Sequence, residues 1–319
     1  MPEIHGHRGA RALRPENTLP GLAHALAIGV DAIEFDVTLT ADGGLILAHD
    51  LTVEATTILG TGPAVAGDPD FPYLGKPWLT LTLAQVATLD AGWRRPAEPF
   101  EETFEPVPGT GVPTFGQVCR LVTEAGAGQV RLAVELKTDP AWSVADVCRL
   151  TNDAMATLAE YGLTSRARIL GFDWRVLTAA QAADPSVPRV ALVEPATWAP
   201  GSAWLAGLDP ADYEADRGQA GCAAAAFDIG AQWLSPWDYM ISADLVAAAH
   251  RDGLSVAAWT VNTPLRMAEL TELGTDAIVT DRPDLLRQLL AGQGAALPPG
   301  CALPWPAGVP DWAPRAPAG

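Results

Sequence analysis

The sequence predicts an α/β protein of the (β/α)8, or TIM, barrel class with a small insertion after the second strand. Along its 319 residues, short apolar runs alternate with segments of helical periodicity, and this alternation specifies a parallel sheet covered by helices. The main apolar runs number eight, which is the strand count of a closed barrel in a chain of this length. Hydrophobic residues make up 49% of the chain, enough for one large core.

Each predicted strand is a short apolar run bounded by polar, Gly or Pro residues. In chain order, these runs cover residues 4–6, 32–39, 131–136, 167–170, 189–193, 232–234, 255–259 and 277–280. A turn cluster at residues 41–44 follows the second run, and residues 45–48 lead back from it like the second arm of a hairpin.

The predicted helices fill the intervals between these strands. In chain order, they cover residues 19–28, 83–89, 114–125, 143–161, 174–183, 243–251, 264–273 and 283–290. The first has Asn17 and Thr18 as candidate caps, Pro20 in its first turn and Gly29 at its end, which are common end signals of a helix. Residues 195–230 show neither pattern clearly.

Residues 1–291 are expected to form a single catalytic barrel domain. Within it, residues from about 60 to 113 are rich in Gly, Pro and aromatic side chains, so we interpret them as an excursion from the barrel core. Residues 292–319 form a tail rich in Pro, Gly and Ala. Such tails are usually mobile, but Trp305 and Trp312 suggest that parts of this one pack on the barrel.

The charge of the chain restricts its partners. The formal net charge is −18, so the protein lacks the general basic surface that nucleic acids or anionic membranes require. The expected partner is therefore a small-molecule substrate, and the oligomeric state stays open. The sequence has no signal peptide pattern and no apolar run long enough to span a membrane. We therefore expect a cytoplasmic protein without stable membrane insertion.

Three carboxylates follow the strand pattern in a way that predicts a metal site. Glu34 and Asp36 lie two residues apart on the second strand, so they share a face, and Glu135 ends the third strand. Carboxylate oxygens suit Mg²⁺ or Ca²⁺, with Mn²⁺ as a further candidate. The alternative is a salt-bridge network with Arg8 and Lys137, but three converging negative charges favour a bound cation.

Other polar and aromatic residues fall at strand ends that point to the same mouth. His7 and His49 flank the carboxylate pair and could exchange protons near neutral pH. Arg8 and Lys137 are candidate phosphate ligands, because Arg offers a planar fork of donors and Lys a compact charge. Trp259 ends the seventh strand and could form a wall of the substrate pocket.

The ordered set of short motifs resembles the glycerophosphodiester phosphodiesterase family. The matching segments are His7-Arg8-Gly9, Pro15-Glu16-Asn17-Thr18, Glu34-x-Asp36-Val37, His49-Asp50, Glu135-x-Lys137, Trp259-Thr260-Val261-Asn262 and Thr280-Asp281-Arg282-Pro283. Members of that family are TIM barrels that cleave glycerophosphodiesters to glycerol 3-phosphate and an alcohol. The resemblance also implies that residues from about 50 to 113, after the hairpin histidine, form a small insertion over the barrel mouth.

The resemblance implies roles for individual residues. It gives the acid–base pair His7 and His49, the metal ligands Glu34, Asp36 and Glu135, and the substrate-binding residues Arg8, Lys137, Trp259 and Asn17. Two segments depart from the family pattern: the one after His49 lacks an arginine before Thr56-Thr57, and Gly171-Phe172-Asp173 replaces Ser-Phe-Asp. These departures leave the released alcohol open.

Three other functions remain as alternatives. A phospholipase D-like enzyme acting on lysophospholipids would need an apolar groove, which the aromatic residues of the insertion could supply. A non-catalytic phosphate-binding barrel would not need the complete set of histidines, carboxylates and cations. A metal-dependent lyase or aldolase would not need two histidines on either side of a carboxylate pair. The attacking oxygen could belong to water or to a substrate hydroxyl.

Overall fold

The computed structural model describes residues 1–93 and 100–301, and its central sheet is a closed barrel. The strands are β1 (Glu3–Gly6), β2 (Ala32–Leu39), β3 (Leu45–Leu47), β4 (Leu59–Gly60), β5 (Leu89–Asp90), β6 (Arg131–Leu136), β7 (Ala167–Gly171), β8 (Arg189–Val193), β9 (Trp233–Pro236), β10 (Ser255–Ala258) and β11 (Ala277–Thr280). The parallel strands β1, β2 and β6 to β11 pair in sequence order, and β1 closes the barrel by pairing with both β2 and β11. The predicted TIM barrel is confirmed.

Helices lie between most of the barrel strands. They are α1 (Leu19–Ile28), α2 (Leu83–Val86), α3 (Phe115–Glu124), α4 (Val144–Glu160), α5 (Trp174–Ala183), α6 (Ala211–Arg217), α7 (Gly221–Asp228), α8 (Ala243–Arg251), α9 (Pro264–Leu273) and α10 (Pro283–Gly292). The cap of α1 is Thr18, whose side chain accepts a hydrogen bond from Gly21 N. Its other candidate cap, Asn17, has a different partner, as described below.

The main core lies between the sheet and the surrounding helices. Every residue of β2 is buried, as expected for a parallel strand covered on both faces, and Phe35 packs against Phe115 of α3 with ring centroids 5.7 Å apart. A charged cluster occupies the amino-terminal end of the barrel, where the Arg168 guanidinium lies over the Trp233 ring and pairs with Glu3.

The insertion follows the hairpin strand β3, which pairs antiparallel with β2 as predicted. It has a small apolar cluster of its own, which includes the buried side chains of Tyr73 and Trp78. The predicted helix over residues 83–89 is wrong in its second half: α2 ends at Val86, and Leu89–Asp90 instead pairs with Leu59–Gly60. Backbone pairing with a distant segment therefore overrides the local helical pattern.

The first part of the tail packs on the barrel. Cys301 N donates a hydrogen bond to Leu26 O, and the Arg287 side chain donates to Pro298 O. Trp305 and Trp312 lie outside the described residues, and the predicted domain end at residue 291 stays a prediction. Among the described helices, none combines the length and apolar character needed to cross a membrane.

Candidate active site

The three predicted metal ligands converge at the carboxyl ends of β2 and β6. The register of this strand pair sets Asp36 directly beside Glu135, and Glu34 lies one pleat earlier on the same face. One carboxylate oxygen from each of the three residues lies within 4.8 Å of the others, and all three side chains are buried. Arg8 N donates a hydrogen bond of 2.8 Å to Glu34 Oε2.

Two cations lie against this cluster. Lys137 Nζ is 2.5 Å from Glu135 Oε1 and 3.2 Å from Asp36 Oδ1, while Arg8 Nε is 3.2 Å from Asp36 Oδ2. Arg8 also pairs with Glu16 at 2.8 Å. Three carboxylates therefore form ion pairs with Arg8 and Lys137, and Arg11 pairs with Glu16 from the other side.

The carboxylates differ in how strongly they hold protons. Burial raises the pKa of Glu34 well above its usual value, and the neighbouring charges of Asp36 and Glu135 add to the rise. Burial likewise raises the pKa of Glu135, although Lys137 opposes it. Burial also acts to raise the pKa of Asp36, but the charges of Lys137 and Arg8 outweigh it and hold that pKa below the usual range.

The cluster fits a hard divalent cation. All its donors are oxygen atoms, which Mg²⁺, Ca²⁺ and Mn²⁺ prefer. Asp36 Oδ1 is buried and receives no hydrogen bond, although Lys137 Nζ is close by, and a buried acceptor left in this state is costly. A cation between the three carboxylates would satisfy that oxygen and relieve the repulsion that raises the pKa of Glu34 and Glu135.

Both predicted histidines reach the same site, and each is held through its Nδ1 atom. His7 Nδ1 lies 2.6 Å from Asp281 Oδ1, and His49 Nδ1 lies 2.9 Å from Asp50 Oδ1. A carboxylate at Nδ1 favours the tautomer that carries its proton there, so Nε2 is the nitrogen available for proton exchange. Burial lowers the pKa of His7, and Asp281 opposes that shift.

The backbone before α1 places Arg8 and Asn17. Both residues have a left-handed conformation, with φ of 47° and 52°. Gly9 must be glycine, because a Cβ there would lie 2.7 Å from the Gly21 backbone. The side-chain amide of Asn17 donates to Asp36 Oδ2 (2.8 Å) and accepts from Asp36 N (3.1 Å). The amide thus holds a carboxylate of the cluster, and substrate contact by Asn17 stays a prediction.

A cavity of about 440 Å³ opens at the centre of the barrel mouth. Its wall includes seven of the nine predicted site residues, but not Asp36 or Asn17, together with apolar and small side chains: His7, Arg8, Glu34, His49, Glu135, Lys137, Leu170, Phe172, Leu192, Ser235, Trp259, Thr260 and Val279. Trp259 is fixed by a 2.8 Å hydrogen bond from Nε1 to Ser235 O and by edge-to-face packing on Phe172. The structure therefore places the side chain of Trp259, which directly follows β10, in the wall of the cavity. Contact between Trp259 and substrate stays a prediction.

Sequence reasoning assigned no role to Asp281 and Asp50, which position the two histidines, although both lie in the matching segments. Asp281 holds His7, accepts a 2.8 Å hydrogen bond from Asn262 Nδ2 and forms an ion pair with Arg11. The other candidates were found because residues at the carboxyl ends of barrel strands point into the mouth. Asp281 could have been found in the same way, because it directly follows β11. Glu16, which bridges Arg8 and Arg11, lies in the matching segment Pro15-Glu16-Asn17-Thr18.

A TIM barrel with carboxylates, cations and histidines gathered at one mouth has the groups of a hydrolase that cleaves phosphoric esters. The model of the glycerophosphoryl diester phosphodiesterase family matches residues 7–285. The chain belongs to that family and is an enzyme of its class.

Individual relatives agree along nearly the whole chain. A glycerophosphodiester phosphodiesterase of Caldanaerobacter subterraneus is 26% identical over 296 residues, covering 91% of this chain and 98% of that protein. The structure of a Silicibacter pomeroyi protein assigned to the family has a TM-score of 0.79 and 28% identity, and covers 93% and 95% of the two chains. An Oleispira antarctica phosphodiesterase in complex with the product sn-glycerol-3-phosphate shares the fold, with a TM-score of 0.67, 20% identity and coverage of 91% and 97%.

Proposed function

We propose that this enzyme hydrolyses glycerophosphodiesters to glycerol 3-phosphate and an alcohol, using one divalent cation and the acid–base pair His7 and His49. The observation that carries the proposal is the convergence of two carboxylate-held histidines on one cavity beside the buried carboxylate cluster. Membership of the phosphodiesterase family supports the reaction class.

Phosphate binding is the first task of the site. Arg8 and Lys137 line the cavity and present donors to an anionic oxygen, and both are held by carboxylates that keep them charged. Glu34, Asp36 and Glu135 would hold Mg²⁺, Ca²⁺ or Mn²⁺, which when bound neutralises charge on the phosphoryl oxygens. Asn17 would keep Asp36 in its ligating orientation.

Proton transfer is the second task. Because burial lowers the pKa of His7, this residue is neutral near pH 7, so Nε2 would accept the proton of the attacking oxygen. His49 would then donate a proton to the departing alkoxide, which is a poor leaving group without one. Asp281 and Asp50 would hold the two rings in the required orientation.

The test is a panel of glycerophosphodiesters with Mg²⁺, Ca²⁺ or Mn²⁺, in which release of glycerol 3-phosphate is followed. We expect turnover with at least one metal, none after exhaustive chelation, and a loss of about 10³-fold or more in His49→Ala. His250→Ala is the matched control, because His250 pairs with Asp276 on the protein surface. Hydrolysis of lysophospholipids without hydrolysis of glycerophosphodiesters would reject the proposal, as would full activity in chelated buffer.

A further inference from the structure

A second, wider cleft adjoins the cavity at the barrel mouth, and the reaction steps proposed above do not use it. It measures about 780 Å³ and shares four wall residues with the cavity: His49, Glu135, Lys137 and Phe172. A phosphoryl group held at these shared residues would therefore direct one substituent into the deep cavity and the other into the cleft. This reasoning rests on the proposed function.

The position of the histidines decides which substituent enters the cleft. Of these two cavities in the described part of the chain, His7 lines the one at the barrel mouth and not the cleft, whereas His49 lines both and its partner Asp50 lines the cleft. If His49 donates the proton to the leaving oxygen, as proposed above, the released alcohol lies on the cleft side and glycerol 3-phosphate on the side of His7. The cleft is then the subsite for the variable part of the substrate.

The part of the cleft that is not shared has negative charge and an aromatic surface. Glu54 accepts a 2.5 Å hydrogen bond from Thr52 Oγ1, and no cation among residues 1–93 and 100–301 pairs with it. Asp50 also lines the cleft, but its carboxylate is paired with His49 Nδ1 at 2.9 Å. Asp173 is neutralised by Arg175 at 2.6 Å. Apart from the shared Lys137, no Lys or Arg of the described chain lines the cleft.

Two aromatic residues complete the walls. Phe172 belongs to both cavities and packs edge-to-face against Trp259. Trp204 comes from residues 195–230, the region without a clear pattern, and its carbonyl oxygen accepts a 2.7 Å hydrogen bond from Trp174 N at the start of α5. This bond fixes the Trp204 backbone at the cleft. Aromatic faces combined with carboxylates are the chemistry that recognises an ammonium group.

We propose that this cleft selects substrates whose alcohol carries an ammonium group, such as choline or ethanolamine, over substrates with neutral or anionic alcohols. Glu54 supplies the charge complementarity and Trp204 the aromatic contact. The net charge of −18 acts in the same direction, because it disfavours substrates with a net negative charge and leaves zwitterionic diesters unopposed.

The test compares glycerophosphocholine with its glycerophospho-3,3-dimethylbutyl analogue, whose alcohol has the same shape as choline but no positive charge. We expect wild type to prefer the choline ester about 3- to 30-fold in kcat/KM. Glu54→Gln should reduce this preference about 3- to 5-fold by lowering kcat/KM for the choline ester alone. Trp204→Ala should reduce the preference too, and Trp204→Phe should retain most of it.

Glu160→Gln is the matched control, because it makes the same change in net charge at an exposed position on α4. Equal kcat/KM for the two esters in wild type would overturn the selectivity and leave the proposed function standing. An equal loss on both esters in Glu54→Gln would assign Glu54 a structural role and overturn the inference as well. Failure of the folded, metal-supplied protein to cleave either ester would overturn the proposed function and this inference with it.

Discussion

His7 and Asp281 are 274 residues apart in the chain, yet their side chains meet at 2.6 Å. Asp281 itself is fixed by Asn262 and Arg11. A carboxylate held this rigidly sets both the tautomer and the orientation of the imidazole ring. The position of the reacting nitrogen therefore depends on residues that need not touch the substrate.

We predict that Asp281→Asn lowers kcat about 100-fold while the fold is retained, because the His7 ring loses the carboxylate that orients it. Asp281 also acts to raise the pKa of His7, so its removal lowers that pKa further. The limb of the pH–rate profile that reports His7 should move to lower pH. Asp284→Asn, which affects an ion pair with Arg282, is the control, and an unchanged pH profile in Asp281→Asn would contradict the prediction.

Asn17→Ala should lower the free energy of unfolding by about 1–3 kcal/mol, because it leaves buried Asp36 atoms without their partners. The left-handed backbone at Asn17 adds strain for alanine. Urea denaturation with the exposed Asn152→Ala as control measures the difference. Equal stability of the two variants would show that the Asn17–Asp36 pair is not stabilising.

The sequence analysis found the site residues whose position depends on a single strand, because the carboxyl end of each barrel strand lies at the mouth of the barrel. His7, Arg8, Glu34 and Glu135 were found in this way. Asp281 was given no role although it also follows a strand, because its part depends on a contact with His7 across the whole chain. Such a partnership has no local pattern in a single sequence.

At the scale of elements, the barrel strands were the most predictable part. The predicted bounds of β2 and β6 agree with the structure residue for residue, because both segments are rich in apolar residues and lie between stretches with turn-forming Gly, Asp or Pro. The region 195–230 was not predictable. It contains the short helices α6 and α7. Gly218 separates them, and α7 begins at Gly221 and is rich in alanine rather than marked by a clear apolar stripe.

Trp78 links the insertion to the site, because its Nε1 donates a 2.7 Å hydrogen bond to Asp50 O and its ring packs in the small cluster of the insertion. Trp78→Ala should remove about 3–5 kcal/mol of packing from the insertion. We expect faster proteolysis within residues 51–113 and a lower kcat, since the loop that bears His49 loses an anchor. Trp78→Phe should resist proteolysis better, and equal cleavage of barrel and insertion in Trp78→Ala would contradict this view.

At the scale of the whole molecule, the carboxylate cluster should make thermal stability depend on metal and pH together. The raised pKa values of Glu34 and Glu135 mean that the metal-free protein loses stability as pH rises from about 4.5 through their folded-state pKa values. Protons and the metal compete for these groups. Mg²⁺ or Ca²⁺ should therefore raise Tm more at pH 8 than at pH 5, with about 2.7 kcal/mol of stabilisation at 100 times Kd. Asp36→Asn should abolish the Tm shift, and a shift independent of pH would contradict the prediction.

The net charge of −18 acts on the whole surface and gives a kinetic prediction. It repels a diester with a net negative charge, such as glycerophosphoglycerol, and this repulsion is screened when the Debye length falls from about 30 Å at 0.01 M salt to about 8 Å at 0.15 M. We expect kcat/KM for glycerophosphoglycerol to rise about 2- to 10-fold over this range. The zwitterionic choline ester should not gain in this way, because it has no net charge to be repelled. Stopped-time assays at fixed free metal concentration measure both, and a fall in kcat/KM for the anionic diester would mean that the local field of Arg8, Lys137 and the bound cation dominates its approach.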